Sequence, residues 1–272
     1  MKVTPVTTSK ITSKDTSITA VLDQYLPVVN ERSVVAITSK IVSICEGRVI
    51  PIVNGKLPAS PKLQRGKQMI NGEKAISEEK EALIAEEAEW YLPASENLYG
   101  VSITIKNNII IASAGIDESN ADGNYVLWPE DPQRSANEIR KYLKDKFSLR
   151  DLGIIITDSR LSPLRWGVTG VGIAHSGFQA VNDMIGKPDI FGRPLHATKV
   201  NILDGLAASA VYVMGESNEQ TPIAVIEDAP HIRFQDHNPT QEELDMLRIT
   251  MEEDIFSGIL KKVEWKKGQK IF

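Results

Sequence analysis

The sequence has only one cysteine, Cys45, so it cannot form an internal disulfide or a zinc site ligated by several cysteines. Its four histidines lack a spacing such as H-E-x-x-H, which would place two metal ligands on one helix face. No apolar run approaches the ~20 residues of a membrane span, and the start, MKVTPVTTSK, lacks the apolar core of a signal peptide. We therefore expect a cytoplasmic protein that does not bind membranes.

Two common nucleotide-binding motifs are also missing. There is no Walker A sequence and no G-x-G-x-x-G at a strand-to-helix turn, which excludes a P-loop and a Rossmann site. The net charge of −5 gives no general affinity for nucleic acid. Any anionic ligand must therefore be bound by a local group of cations. The apolar content of 42% is ordinary for a globular protein with a substantial core.

The stretch from Gly153 to Gly177 carries the strongest chemical signal. Ile154-Ile155-Ile156 predicts a buried strand that stops where Thr157-Asp158-Ser159-Arg160 begins, and Arg165 follows. A carboxylate at the end of a buried strand is costly unless a positive charge meets it. Arginines or a divalent cation can supply that charge, and phosphate plus metal uses both signs. The alternative is an Asp that only caps the next turn.

Two further acids share this description. Asp117 follows a predicted hairpin, Val101 to Ile111, in the loop SAGIDESN. Glu216 follows Gly215 at the end of a predicted helix of small residues that Asp204 can cap. Because a helix C-terminus carries partial negative charge, an acid there is unfavourable unless a cation is bound. The alternative is an exposed glutamate in a loop.

Carboxylate, hydroxyl and water oxygens are the ligands that Mg²⁺ and Mn²⁺ prefer, and these ions commonly bridge to substrate phosphates. Ser159 and Asn120 can add oxygens or hydrogen bonds. Four cations can bind further anionic groups: Arg160, Arg165, Arg193 and Lys199.

Composition and capping signals predict several other elements. Pro51 to Gly72 is rich in Pro, Gly and Lys, which predicts a mobile loop or lid. We also predict helices from Ser77 through Tyr91, from a capping box at Ser135 and Glu138, and from Phe178 to Ile185. Capping boxes at Thr240–Glu243 and Thr250–Glu253 predict two short helices in the tail.

Five segments together resemble the coenzyme F420:L-glutamate ligase family and its relatives assigned to folate metabolism as γ-glutamate ligases. They are SKIVSICEGR (39–48), SAGIDESN (113–120), IITDSRLSPLRWGVTGVGIAHSG (155–177), the IG-x-x-D-x-x-GR run (185–193) and the stretch from Asp204 to Pro222. The resemblance spans most of residues 1 to 225, and the tail beyond about Glu227 is less diagnostic.

The resemblance implies an α+β fold with two lobes, in which mixed and antiparallel sheets are flanked by helices. It places a catalytic unit of two intertwined lobes at residues 1–225 and a C-terminal helical extension that packs on it at residues 226–272. It also implies a homodimer and an NTP-dependent amide ligase that uses L-glutamate and GTP or ATP.

The resemblance assigns roles to particular residues. It implies that Asp117 and Asp158 hold one Mg²⁺ or Mn²⁺, and that Ser159 and Glu216 hold a second. Catalytic roles would fall to Asp158, Arg160 and Arg165. The residues that would contact the nucleotide are Ser9, Lys10, Ile11, Thr12, Ser39, Lys40, Asn120, Met214, Gly215, Ser217 and Thr221.

One position departs from the family pattern. The archaeal cofactor-making enzymes carry a nucleotide-contacting lysine where this chain has Ile44, and Lys40 lies four residues earlier. The SKIT turn at Ser9 also differs from the more apolar turn of those enzymes. Both changes leave open the nucleotide and the acceptor, which could be a folate, an F420-type cofactor, or a glutamate or oligoglutamate chain. Ile44 and the tail favour an acceptor other than an F420-type cofactor. Two other functions remain: a metal-dependent phosphotransferase or phosphohydrolase, and a nucleotide-binding protein with a weakened site.

Overall fold

The computed structural model describes residues 1–52 and 76–269 of the chain. The predicted lid, Pro51 to Gly72, lies outside the described residues except for its first two positions. Helices and multi-stranded sheets are both present, which confirms the α+β class.

The α-helices are α1 (Ile18–Tyr25), α2 (Ser39–Cys45), α3 (Glu78–Glu87), α4 (Pro132–Phe147), α5 (Ile202–Met214), α6 (Gln241–Asp245) and α7 (Ser257–Leu260). The strands are β1 (Lys2–Val6), β2 (Ser33–Thr38), β3 (Val49–Pro51), β4 (Trp90–Leu92), β5 (Ile103–Lys106), β6 (Ile109–Ala112), β7 (Asn124–Val126), β8 (Leu152–Leu161), β9 (Val168–Ser176), β10 (Val181–Asp183), β11 (Lys199–Asn201), β12 (Ile223–Glu227) and β13 (Lys266–Lys267).

The chain forms two compact units, each built from separate stretches of sequence. The first unit comprises Met1–Gly47, Pro129–Ser159 and Val168–Arg248. The second unit comprises Arg48–Trp128, Arg160–Gly167 and Ile249–Phe272.

A five-stranded sheet in the order β1-β12-β2-β8-β9 forms the centre of the first unit. β2 and β8 are parallel, whereas β12 runs antiparallel to both of its neighbours, β1 and β2. Apolar side chains cover both faces of β2, because Val35 and Ile37 pack into one core cluster while Val34 and Ala36 pack into another. This explains why SVVAIT reads as a continuous apolar run.

Helices lie against both faces of this sheet. Residues of α1, α2 and α4 join the cluster that contains Val35 and Ile37, and residues of α5 join the opposite cluster. α5 approaches β9 closely, since a Cβ on Gly170 would lie 2.5 Å from the carbonyl oxygen of Ala207. The small residues of α5 therefore allow the close packing that their sequence predicts.

Two predicted element ends in the first unit were wrong. β8 does not stop at Thr157 but continues through Asp158 and Ser159 to Leu161, with a change from buried to half-buried after Thr157. α4 begins earlier than the Ser135 capping box, because Asp131 caps it and Pro132 opens its first turn. The Ser135 hydroxyl instead donates a hydrogen bond to Glu46.

The predicted helix from Phe178 to Ile185 was also wrong. The segment is extended, and Val181–Asp183 pairs antiparallel with Lys199–Asn201. The Ala180 carbonyl accepts hydrogen bonds from the amides of Ile202 and Leu203. These long-range partners satisfy the backbone in an extended form, so local spacing does not decide the structure.

The second unit contains an antiparallel sheet in the order β13-β4-β5-β6 and a separate pair, β3 with β7. The predicted hairpin is confirmed, and Asn107 and Asn108 at its turn both have positive φ. The predicted helix through Tyr91 was wrong at its end. α3 stops at Glu87, and Trp90–Leu92 pairs with Ile103–Ile105 as part of the sheet.

The tail keeps one of its two predicted helix starts. Thr240 and Glu243 form a complete capping box on α6. Thr250 and Glu253 are hydrogen bonded to each other, but no helix begins there, and α7 starts at Ser257. The tail also adds strand β13 to the second sheet.

Candidate active site at one edge of the first sheet

Four strands of the first unit end at one edge of its sheet. The register aligns Val6 with Ile223, Ile223 with Ile37, and Ile37 with Ile156. The carboxyl ends of β1 and β2 therefore meet the amino end of β12, and β8 passes this level at Thr157 before it continues to Leu161. Ligands commonly bind outside the carboxyl ends of parallel strands, because loops and helix ends converge there.

Two backbone hydrogen bonds hold the loops of this edge together. The Thr8 amide donates to the Gln220 carbonyl at 2.8 Å, and the Thr38 amide donates to the Pro222 carbonyl at 3.0 Å. The loop after β1 and the start of α2 are thus both attached to the segment that precedes β12. These are three of the segments for which the resemblance implies nucleotide contacts.

Ser159 and Glu216 meet at the same edge. The Ser159 hydroxyl donates a hydrogen bond to the Glu216 carboxylate, and the Ser159 amide donates to Asp158 Oδ1 at 2.7 Å. Two carboxylate residues and a hydroxyl are thus supplied by β8 and by the loop after α5. The structure thus brings Ser159 and Glu216 into direct contact, and their shared role as ligands of a second metal ion stays a prediction.

The loop that carries Glu216 is ordered by its own hydrogen bonds. Gly215 ends α5 with a φ of +77°, and its amide bonds to the Val211 carbonyl. The Glu219 carboxylate accepts from the Ser217 amide at 2.8 Å, and the Thr221 hydroxyl donates to the Met214 carbonyl at 2.5 Å. The backbone angles of Gly215, φ +77° and ψ 171°, are unfavourable for a residue with a Cβ, and that Cβ would also lie 2.4 Å from Glu219 Cδ.

The turn from Ser9 to Thr12 is held by side chains that the sequence did not single out. Asp15 Oδ2 accepts hydrogen bonds from the Thr12 amide at 2.8 Å and from the Thr12 hydroxyl at 3.3 Å. The Ser9 hydroxyl is hydrogen bonded to the Tyr25 hydroxyl. Lys10 is exposed and Ile11 is half-buried, with its side chain against the core cluster of α1 and α2.

Helix α2 carries the position that departs from the family pattern. Ile44 is buried, with 6% of its surface exposed, whereas Lys40, one turn earlier, is half-buried. Ser39 is buried at the start of the helix, directly after Thr38. Lys40 is therefore the cation that α2 presents beside the sheet edge.

Asp117 and Asn120 lie in the second unit. The Asp117 backbone pairs with Val126 in both directions, at 3.0 and 2.8 Å, and its carboxylate accepts from the Ser119 amide and hydroxyl at 2.8 Å each. Asn120 is exposed with a φ of +52°. The Asp117 backbone is thus fixed by Val126, and its carboxylate is fixed by Ser119.

The predicted arginines are divided between the units. Arg160, half-buried in β8, and Arg165, exposed in the β8–β9 loop, belong to the second unit. Arg193 lies in the first unit in a tight turn, where its amide donates to Asp189 Oδ1 at 2.9 Å, and Lys199 lies on β11. Both of the latter side chains are exposed.

The donor chemistry at the edge fits a hard divalent cation. Asp158, Ser159 and Glu216 offer only oxygen ligands, which Mg²⁺ and Mn²⁺ prefer. Among residues 1–52 and 76–269, no three His, Cys, Asp or Glu side chains form a group that could hold a metal ion.

Two other reactive groups are poor catalysts. Burial raises the pKa of the Cys45 thiol to about 11, so it stays protonated at neutral pH. Burial likewise lowers the pKa of His175 to about 4, although Glu243 acts in the opposite direction. Both agree with the sequence-based expectation that these residues are structural.

Comparison with known proteins decides the family. The profile of the F420-0:gamma-glutamyl ligase family matches residues 5–228, which is most of the chain. The chain belongs to this family. The family match ends close to Glu227, where the sequence resemblance also becomes less diagnostic.

Curated members of the F420-0:gamma-glutamyl ligase family show the same relationship. A coenzyme F420:L-glutamate ligase of Methanococcus maripaludis strain S2 is 33% identical over 226 residues, covering 83% of this chain and 85% of the relative. The enzyme of the same name from Methanopyrus kandleri is 35% identical over 196 residues, covering 72% and 74%. One from Methanococcus maripaludis strain C7 is 42% identical over 151 residues, covering 56% of this chain and 58% of the relative.

Membership makes this protein an enzyme of the glutamate ligase class. The helices of residues 1–52 and 76–269 are each too short or too polar to span a bilayer. The cytoplasmic location stays a prediction.

Proposed function

We propose that the protein is an NTP-dependent and divalent-metal-dependent ligase that joins the amine of L-glutamate to the carboxylate of an anionic acceptor. One observation supports this most strongly. Four segments with implied ligand roles, from the β1 loop, α2, β8 and the loop after α5, converge on one sheet edge in a member of the γ-glutamyl ligase family.

The proposed reaction has two steps. An acceptor carboxylate oxygen attacks the γ-phosphorus of the nucleotide, and the bond to the β-phosphate oxygen breaks to give NDP and an acyl phosphate. The glutamate amine then attacks the acyl carbon, loses a proton, and displaces inorganic phosphate. No protein nucleophile is needed, which agrees with the raised pKa of Cys45.

The role that we propose for each residue follows from its charge. We assign Asp117 and Asp158 to one cation and Ser159 and Glu216 to a second. Bound Mg²⁺ or Mn²⁺ neutralises negative charge on the transferring phosphoryl group. Because all the reacting species are anions, we assign Arg160 and Arg165 to the phosphoryl group and the acceptor carboxylate.

The nucleotide binds across the loops of the sheet edge in this proposal. Backbone and hydroxyl groups of the Ser9–Thr12 turn and of Gly215, Ser217 and Thr221 are suited to hydrogen bond phosphate and base. Ile44 is buried and carries no charge. We therefore assign the charge that a lysine at position 44 would carry to Lys40, which lies one turn earlier on the same helix. GTP is our first choice of co-substrate and ATP the second.

The names of the relatives favour an F420-type acceptor. A folate or an oligoglutamate chain offers the same terminal carboxylate chemistry. The protein should be incubated with GTP or ATP, Mn²⁺, glutamate and each acceptor in turn. The masses of the products should then be measured by mass spectrometry. We expect one acceptor to gain a glutamyl residue for each NDP released.

Two other outcomes point to the competing functions. Release of NDP that does not depend on glutamate, with no heavier product, indicates a phosphohydrolase. Nucleotide binding without turnover indicates a weakened site, which the buried Ile44 in place of a lysine would explain.

We also propose a homodimer. Large apolar side chains are exposed in the first unit at Ile190 and Phe191 and in the second at Leu164 and Trp166. Exposed apolar side chains within each unit are available to an interface between proteins. Light scattering coupled to gel filtration should give twice the monomer mass, and a monomer at micromolar concentration would contradict this assignment.

A further inference from the structure

Three consecutive residues before Asp117 have an unusual backbone. Ser113, Ala114 and Gly115 have φ values of +52°, +54° and +72°. Ser113 and Ala114 carry a Cβ, so this left-handed conformation costs free energy and persists only where surrounding contacts enforce it. Asp117 follows two positions later. The strain thus lies in the segment that leads into Asp117.

Two residues of β5 help to hold this backbone conformation. The Thr104 hydroxyl accepts a hydrogen bond from the Ala114 amide at 2.9 Å, and Lys106 Nζ lies 3.4 Å from the Ala114 carbonyl oxygen. Trp128 closes the other side, because a Cβ on Gly115 would lie 2.0 Å from Trp128 Nε1. Lys106 Nζ also lies 5.1 Å from the Trp128 ring centroid.

Glu87 connects the two sides of this segment. Its Oε2 pairs with Lys106 Nζ at 2.6 Å, and its Oε1 pairs with an Arg48 guanidinium nitrogen at 2.6 Å. Burial raises the pKa of Glu87, but Lys106 and Arg48 outweigh it and hold the pKa below its ordinary value. The carboxylate is therefore charged at neutral pH and shared between two cations.

Arg48 leads to the strand that pairs with Asp117. Its Nε donates to the Trp128 carbonyl at 3.1 Å, and its own carbonyl accepts from the Leu127 amide at 3.1 Å. The residue before Leu127, Val126, exchanges backbone hydrogen bonds with Asp117. The Glu87 carboxylate thus reaches the upstream flank of Asp117 through Lys106 and its downstream partner through Arg48.

We propose that Glu87 is a positioning residue, and that its bridge between Lys106 and Arg48 holds the Asp117 loop in the geometry that binds a divalent cation. This rests on the proposed function, which makes Asp117 a metal ligand. When a group that orients a metal ligand through hydrogen bonds is removed, the metal affinity typically falls by about 10- to 100-fold.

The test is a titration with Mn²⁺ alone, followed by electron paramagnetic resonance of the free ion, so it needs no acceptor. We expect Glu87→Gln to weaken Mn²⁺ binding by at least about tenfold. Glu86→Gln, which removes the same charge one position earlier on α3, should bind Mn²⁺ like the wild type. Lys106→Arg keeps the charge against Glu87 and should retain most of the affinity.

A double-mutant cycle separates positioning from general destabilisation. If Glu87 acts through Asp117, the Glu87→Gln/Asp117→Asn protein should bind Mn²⁺ no more weakly than Asp117→Asn alone. Hydrogen exchange of the metal-free Glu87→Gln protein should be faster at the amides of Asp117 and Val126 than in the Glu86→Gln control.

The outcomes are distinct. Wild-type Mn²⁺ affinity in folded Glu87→Gln, or additive losses in the double mutant, would overturn the positioning role and leave the proposed ligase activity standing. Unchanged Mn²⁺ binding in Asp117→Asn would remove both the positioning role and the first metal assignment. If Glu87→Gln does not fold, Glu87→Asp, whose shorter side chain keeps the charge but weakens the bridge, should show a smaller loss, and no loss there overturns the proposal.

Discussion

The hydroxyl of Ser159 donates a hydrogen bond to the carboxylate of Glu216, although the two residues are 57 positions apart in the sequence. Ser159 lies on β8 and Glu216 in the loop after α5, so only the tertiary fold brings them together. The contact places an acid that is unfavourable at a helix C-terminus beside the Ser159 hydroxyl. It is the structural basis of the second proposed metal site.

Removing either partner should weaken the same step. We expect Glu216→Gln and Ser159→Ala each to lower kcat/KM by at least about tenfold, with the larger loss in Glu216→Gln because it removes a charged oxygen ligand. The measurement is NDP release as a function of Mn²⁺ concentration, and rising Mn²⁺ should recover part of the loss. Glu242→Gln, an exposed acid on α6, serves as the control. Equal activity in all four proteins would show that the pair is not part of the site.

The glycine that ends α5 should not tolerate a side chain. We expect Gly215→Ala to lower the free energy of unfolding by about 1 kcal/mol or more, since its φ is +77° and the new Cβ meets the Glu219 carboxyl group. Nucleotide affinity should fall as well, because the loop shifts. Urea unfolding and equilibrium nucleotide binding measure the two effects.

Gly205, in the same helix, gives the matched control. A Cβ there meets nothing within 4 Å, so Gly205→Ala should raise the free energy of unfolding by about 0.5–1 kcal/mol through helix propensity. Similar results for both variants would contradict the assigned role of Gly215.

Acid should destabilise the protein through His175. Its folded pKa of about 4 lies below the ordinary value of 6.5, because burial of the ring outweighs the opposite effect of Glu243. The unfolded chain therefore binds a proton that the folded protein does not. The contribution of neutral His175 to the free energy of unfolding is fully present above pH 6.5. It is lost as the pH drops towards about 4, by a total on the order of 3 kcal/mol.

Urea unfolding across this pH range tests the expectation. The neutral variant His175→Gln should flatten the decline between pH 6.5 and 4, whereas His196→Gln, at an exposed position, should leave it unchanged. A decline of the same size in His175→Gln would assign the acid sensitivity to other groups.

The sequence was informative where a pattern is local. The apolar run of β2, the Asn107-Asn108 hairpin and the Thr240 capping box all follow from neighbouring residues, and the structure has each of them. The segment from Phe178 to Ile185 failed because its partners, on β11 and at the start of α5, lie up to about twenty residues away in sequence.

The site could be predicted only in part for the same reason. Asp117, Asp158 and Glu216 were singled out because each follows an apolar element, and the resemblance assigned Ser159 and Glu216 to one cation. Glu219 and Asp15 gave no comparable signal, since each acts on the backbone of its own loop. A Thr-x-x-Asp spacing at Thr12 was the only available hint for Asp15.

The proposed reaction requires that the acceptor carboxylate is phosphorylated at this edge of the first sheet. The test uses an acceptor whose carboxylate is labelled with oxygen-18. The protein is incubated with this acceptor, NTP, Mn²⁺ and glutamate, and the mass of the released phosphate is measured. We predict one heavy oxygen atom in each phosphate from the wild type, and no phosphate release by Asp158→Asn. Phosphate without label, or labelled phosphate from Asp158→Asn at the wild-type rate, would contradict the account.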